Sequence, residues 1–211
     1  MVLGGLYMKK YGIIVICSLF LISTIGQVVY AGDELDPEID DPESDVLLFG
    51  LMPAPFVNHF MKHIDILSGW FHEDVNNPDT IYTTLKFRDY KPCKLLVIYA
   101  IFWYYNDSSY AAFAMMARGK DYLIGVQIND TNLIEIDDMY TINQNNNTIT
   151  FAIPKELIGN PQPGEMLENP FGLAAIRFVS DSLANLLIRF VSSNILFADL
   201  TFNGMDYQIQ Y

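Results

Sequence analysis

The sequence predicts an all-β fold: a jelly-roll-like antiparallel β-sandwich carrying one or two short helices. Three observations lead there. Aromatic residues are plentiful, with 14 Phe, 13 Tyr and 2 Trp among 211 residues, and with the Ile and Thr content they favour pleated sheet over helix. The run "TIYTTLKFRD" alternates with a period of two, placing Ile81, Thr83, Leu85 and Phe87 on one face and Tyr82, Thr84, Lys86 and Arg88 on the other. Short strand-like runs are separated by polar turns at roughly ten-residue spacing, the rhythm of a sandwich.

Residues 1–31 read as a signal peptide. Lys9 and Lys10 precede the apolar run Ile13 to Ile25, and Val29 and Ala31 supply the small side chains of a cleavage site after Ala31. Met8, directly before the lysines, is an alternative start. An uncleaved anchor is the competing reading, since the apolar stretch is borderline in length for a bilayer span. That segment would then be the only membrane contact. Both readings export the rest of the chain, which is expected outside the cell or at its surface.

Residues 32–62 read as an acidic spacer and an apolar connector. Eight of the fourteen residues in "GDELDPEIDDPESD" are acidic, and such a segment repels itself into an extended form. Clustered acids suit calcium, but the ordered loop spacing of an EF-hand is absent and no metal is expected. The connector that follows is broken by Pro53 and Pro55.

The sandwich itself is expected over residues 63–211. "DILSGWF" reads as its first strand, with Ile66, Ser68 and Trp70 on one face and Trp70 in the core; "HEDVNNPD" reads as a polar loop. "KLLVIYAIFWYY" is apolar almost throughout and suits a central strand covered on both faces. A hairpin tip is expected at Asn106 to Ser109 and a second at Gln144 to Asn147. Pro154 and Gly159 bracket a short helix, a second helix is expected over Ser180 to Ser193, and "DYQIQY" forms a last strand. Cys17 lies in the signal segment, so Cys93 stands alone afterwards and no internal disulfide is possible. Cys93 is expected to start a strand as a small apolar residue. Stability must come from the core.

The net charge of −13 and pI near 4.4 repel phosphate backbones, which excludes nucleic acid as a partner. No motif for a hydrolase, zinc peptidase or phosphate loop is present. His59 and His63 stand four apart, as metal ligands on one helix face would, with Asp65 nearby and no evident third ligand; His72 stands alone. The chain is not expected to be an enzyme or to carry a cofactor.

The succession "DILSGWF", "IYTTLKFRD", "YAIFWYYNDSSYAAFA", "ITFAIPKELIGNPQPGEML", "LAAIRF" and "DYQIQY" resembles a group of exported archaeal β-sandwich domains that look like DOMON domains and family-nine carbohydrate-binding modules. The resemblance covers about Asp65 to Tyr211 and is most specific in "IPKELIGNPQPGEML". It implies a sandwich that binds sugar or haem. The tryptophan clamp of the sugar-binding family does not transfer, because Trp70 and Trp103 fall in expected strands. No Met and His pair is singled out for haem, and no "CxxCH" is present.

A sugar site needs aromatic faces beside polar groups, and "FWYYNDSS" offers Trp103 and Tyr105 on one face with Phe102 and Tyr104 on the other. Trp103, Tyr105 and Tyr104 are therefore the candidate ligand-binding residues, with Trp103 or Tyr105 expected in solvent. Asn106, Asn129 and Asn146 begin glycosylation sequons at expected turns, and a glycan at Asn106 would crowd that platform. The expected function is a non-catalytic binding module for carbohydrate or surface polymer. The alternative is a structural or protein-interaction domain of the cell envelope, docking on an envelope protein.

Overall fold

A computed structural model describes residues 32–48, 52–53, 61–92, 95–117, 120–129, 132–136, 139–177, 195–201 and 204–211. The expected signal segment, His59, Cys93 and the expected helix over Ser180 to Ser193 lie outside the described residues. In chain order the strands are Ile39–Asp40 (β1), Leu47–Leu48 (β2), Met52–Pro53 (β3), Ile66–Asp74 (β4), Asn77–Phe87 (β5), Leu96–Tyr105 (β6) and Ser108–Ala117 (β7). They continue with Lys120–Ile128 (β8), Asn132–Glu135 (β9), Tyr140–Asn143 (β10), Thr148–Pro154 (β11), Met166–Arg177 (β12), Ile195–Leu200 (β13) and Tyr207–Gln208 (β14). One short 3-10 helix, Lys155–Ile158, is present among the described residues.

The fold is an all-β sandwich. Five strands run in the order β1-β4-β5-β11-β10, and a nine-stranded sheet runs β3-β2-β13-β12-β6-β7-β8-β9 with β14 beside β12. Every pairing is antiparallel. The inner faces meet in one core. Ile81, Leu85, Phe87 and Phe151 come from the smaller sheet and Val97, Tyr99, Ile101 and Trp103 from the larger. The period-two pattern of β5 is reproduced, with Ile81, Thr83, Leu85 and Phe87 all buried. β6 is covered on both faces along most of its length: Leu96, Ile98 and Ala100 on its outer side belong to a second buried cluster with Phe113, Met115 and Leu173.

Local chemistry explains the turns. Tyr105 pairs with Ser108 across the β6–β7 tip, and Asn106 and Asp107 hold φ of 48° and 57°. Two successive left-handed residues make a type I′ turn, whose twist matches that of the strands it joins, and Asn and Asp tolerate that region better than other side chains. The second hairpin turns at Gln144 to Asn147, as expected. Gly159 ends the 3-10 helix at φ 85°. A Cβ there would lie 3.2 Å from the Tyr105 ring and 3.3 Å from the Tyr110 hydroxyl, so glycine serves both the backbone and the packing.

Three expectations need correction. Between Ile66 and Ser68 the β4–β5 register slips, and one extra residue moves all that follow to the opposite face. Ile66 and Phe71 are therefore both in the core, while Trp70 is half-buried on the outer face. "HEDVNNPD" is strand on both sides of a two-residue turn at Val75 and Asn76, with His72 inside β4.

The acidic stretch is also built into the sandwich where it is described. Ile39 pairs with Gly69, and Ile39 and Val46 are fully buried. The Glu38 carboxylate accepts the Phe71 amide at 2.8 Å. Counting acids in the segment misses the two apolar residues that anchor it. A spacer reading required that nothing there be buried.

Candidate functional site

The strand end "FWYY" separates by alternation. Odd-numbered residues of β6 face the opposing sheet, so Trp103 is 1% and Tyr105 6% exposed. Trp103 meets Phe71 edge-on at 5.7 Å and stacks on Tyr110 at 5.9 Å. The Tyr105 hydroxyl donates to Glu165 at 2.6 Å, and burial together with that carboxylate pushes its phenol up to about 12. These two rings are core, and the expectation that one of them reaches solvent is corrected. Tyr104 points the other way and is 45% exposed. Its cross-strand partners are Ser109 and Glu168. One row inward, Phe102 stacks on Phe171 at 4.6 Å with nearly parallel rings.

The register slip in β4 creates a second aromatic surface that the sequence pattern concealed. On the outer face of the five-stranded sheet, Trp70 stands in register with Thr84, Thr84 with Thr150 and Thr150 with Thr141. The Thr84 and Thr150 hydroxyls are hydrogen-bonded at 2.8 Å. In the adjoining row His72 stacks on Tyr82 at 5.0 Å, and the Asn77 side-chain amide donates to the Tyr82 hydroxyl at 2.9 Å. Burial holds the His72 imidazole below its ordinary range. The two rows together place one indole, one phenol, one imidazole and three threonines on a single face, with Thr84 buried among them. Only knowledge of the bulge could have turned Trp70 outward.

A cluster of carboxyls forms where the acidic segment meets β13. Oxygens of Asp41, Asp45 and Asp199 lie within 4.8 Å of one another. Asp199 accepts the Ile66 amide at 2.6 Å. Asp65, fully buried beside them, accepts the Ser44 amide at 3.0 Å and faces Arg88 at 3.3 Å. One oxygen each of Asp41 and Asp45 is buried without a hydrogen-bond partner among the described residues. Burial, followed by the neighbouring carboxylates, pushes Asp41 up to about 7 and Asp199 up to about 9. Burial likewise raises Asp65. An all-oxygen donor set of this kind suits a hard divalent cation, and protons satisfy the same crowding. His63 is half-buried, with its Nε2 buried and without a partner among the described residues, and burial lowers its pKa.

A buried ion pair anchors the last residues. Lys155 reaches Glu73 at 2.6 Å with both side chains almost wholly enclosed. Glu73 also accepts the Tyr207 hydroxyl at 3.1 Å and the Gln210 amide at 2.5 Å. The pair ties β4, the 3-10 helix and β14 together. The sequon residues Asn106, Asn129 and Asn146 all stand exposed at turns.

No family model, curated protein or solved structure matches this chain. The functional reading therefore rests on the geometry.

Proposed function

We propose that this protein is a non-catalytic binding module working outside the cell, and that it recognises carbohydrate or a carbohydrate-bearing surface polymer. The observation that carries the reading is the outer-face row of Trp70, Thr84, Thr150 and Thr141, with the His72–Tyr82 stack beside it. An indole face receives the C–H side of a pyranose ring, and the exposed Thr141 and half-buried Thr150 offer hydroxyls further along, while Thr84, buried and bonded to Thr150, supports the row from within. The likeness to family-nine carbohydrate-binding modules leans the same way, although the stacking residue here is Trp70 and not the pair Trp103 and Tyr105. Tyr104 adds a separate ring on the opposite sheet. Asn106, Asn129 and Asn146 remain the proposed glycan acceptors, each exposed at a turn, with Asn146 in the turn that joins the strands of Thr141 and Thr150.

The test is retention of the purified protein on insoluble polysaccharides and on a glycan array. Trp70→Ala should abolish retention, while Tyr104→Ala should leave it within about twofold. Unchanged retention by Trp70→Ala overturns the reading. The second reading, a protein-docking envelope domain, is favoured by β9, a four-residue strand that ends the nine-stranded sheet with Leu133 partly exposed. Such an edge can accept a strand from a partner.

A further inference from the structure

The described part of the acidic segment does more than pack. Its first turn borders an open cleft of about 500 Å³ at the β1 side of the smaller sheet. Leu35, Pro37, Leu67 and Met205 line it, with Glu34, Asp36 and Asp40 among them. Lys86 also faces the cleft, and its charge is taken up by an ion pair with Glu34.

Two features define this surface. Leu35 is 94% exposed and Met205 60% exposed, so two large apolar side chains stand in water at one cleft. Leu35 is held there by an ordered turn: the Asp33 carboxylate accepts the amides of Leu35 at 2.7 Å and Asp36 at 3.0 Å. Holding a leucine outward leaves its apolar area in water, which a partner that covers it would relieve. The second feature is charge. The cleft carries three carboxylates against one lysine, giving a local balance of −2, and the whole chain is at −13. The electrostatic complement is a cation, and the apolar complement is an aliphatic side chain.

We propose that this cleft docks a basic, amphipathic peptide segment of another protein, in which lysine or arginine alternates with aliphatic residues. Aliphatic side chains of the segment cover Leu35 and Met205, and its cations meet Asp36 and Asp40. An uncharged or anionic glycan satisfies neither half of this surface. The cleft adjoins the Trp70 row on the same face, since Ser68 and Lys86, which line it, stand two residues from Trp70 and Thr84; the proposal rests on Leu35, Met205 and the carboxylates and not on Trp70.

The experiment is fluorescence anisotropy of the full chain with a short fluorescein-labelled peptide of alternating lysine and leucine. Peptides alternating glutamate with leucine, and lysine with glycine, serve as controls. Only the lysine–leucine peptide should bind tightly, and its affinity should fall about tenfold between low and high salt. Leu35→Ser and Asp36→Asn should each weaken binding by about tenfold. Both positions are exposed, so the variants should keep the parent circular dichroism. Asp79→Asn combined with Glu156→Gln changes charge at exposed positions outside the cleft and should leave affinity within about twofold. No binding by the parent chain overturns the proposal. So does equal weakening by the distant pair, because attraction to general negative charge then suffices. The polysaccharide assay with Trp70→Ala reads none of these changes.

Discussion

At the residue scale, neighbours on one strand differ by which sheet they face. Trp103 is enclosed by Phe71 and Tyr110, whereas Tyr104, one position on, is the partly open ring of the outer face. Truncating a fully buried tryptophan removes its transfer free energy and leaves a cavity, at a cost of about 3–5 kcal/mol. Trp103→Ala should therefore lower stability by that amount in urea unfolding, and Tyr104→Ala by less than about 1 kcal/mol. Comparable losses from the two would mean that the inward and outward assignments of β6 are wrong. The aromatic strand end itself was legible, including which rings share a face. Which face looks inward was not, since both sides of "KLLVIYAIFWYY" are apolar and only the position of the opposing sheet decides between them.

At the element scale, the buried pair of Lys155 and Glu73 couples three pieces of chain that are distant in sequence. Glu73 sits on β4, Lys155 on the 3-10 helix, and the Tyr207 hydroxyl and Gln210 amide come from the last residues. Removing one partner of an enclosed ion pair leaves an uncompensated charge, which costs about 3–5 kcal/mol. Lys155→Met should lose stability in that range. The double variant Lys155→Met with Glu73→Gln should recover part of it, because the stranded carboxylate is then gone. A double variant no more stable than the single one would assign the loss to packing. None of this was readable beforehand: a glutamate in "HEDVNNPD" looks like a turn residue until the strand is seen to run through it. Turn chemistry, in contrast, was legible. Asn106-Asp107, Gln144 to Asn147 and Gly159 mark chain reversals or ends by local backbone preference alone, with no distant partner needed. The β4 bulge had no such local signature, and it displaced Trp70 from the expected core to the candidate surface.

For the whole molecule, acidity that looked like a solvated tail is partly folded inward. Glu38, Asp41 and Asp199 are removed from water, and burial pushes them up to about 7, 7 and 9 respectively. In the unfolded chain such carboxyls titrate near 4. Between those limits the folded state holds more protons than the unfolded state, so unfolding releases protons and stability falls as pH rises. Below about pH 4 both states are protonated and the burial carries no charge penalty from these groups. Above about pH 9 the penalty is complete. Urea midpoints should therefore decline from pH 5 to pH 9, against the usual behaviour of paired surface carboxylates, whose contribution is lost on acidification. Asp199→Asn removes the most strongly raised of the three and should flatten the upper part of that decline, between about pH 7 and 9. Below pH 7 all three carboxyls contribute, so there the variant should keep roughly two thirds of the parent slope, the share of Glu38 and Asp41. A parent protein whose midpoint rises from pH 5 to pH 9 would show that these carboxyls are not held in their acid form, and that the acidic segment stays in water after all.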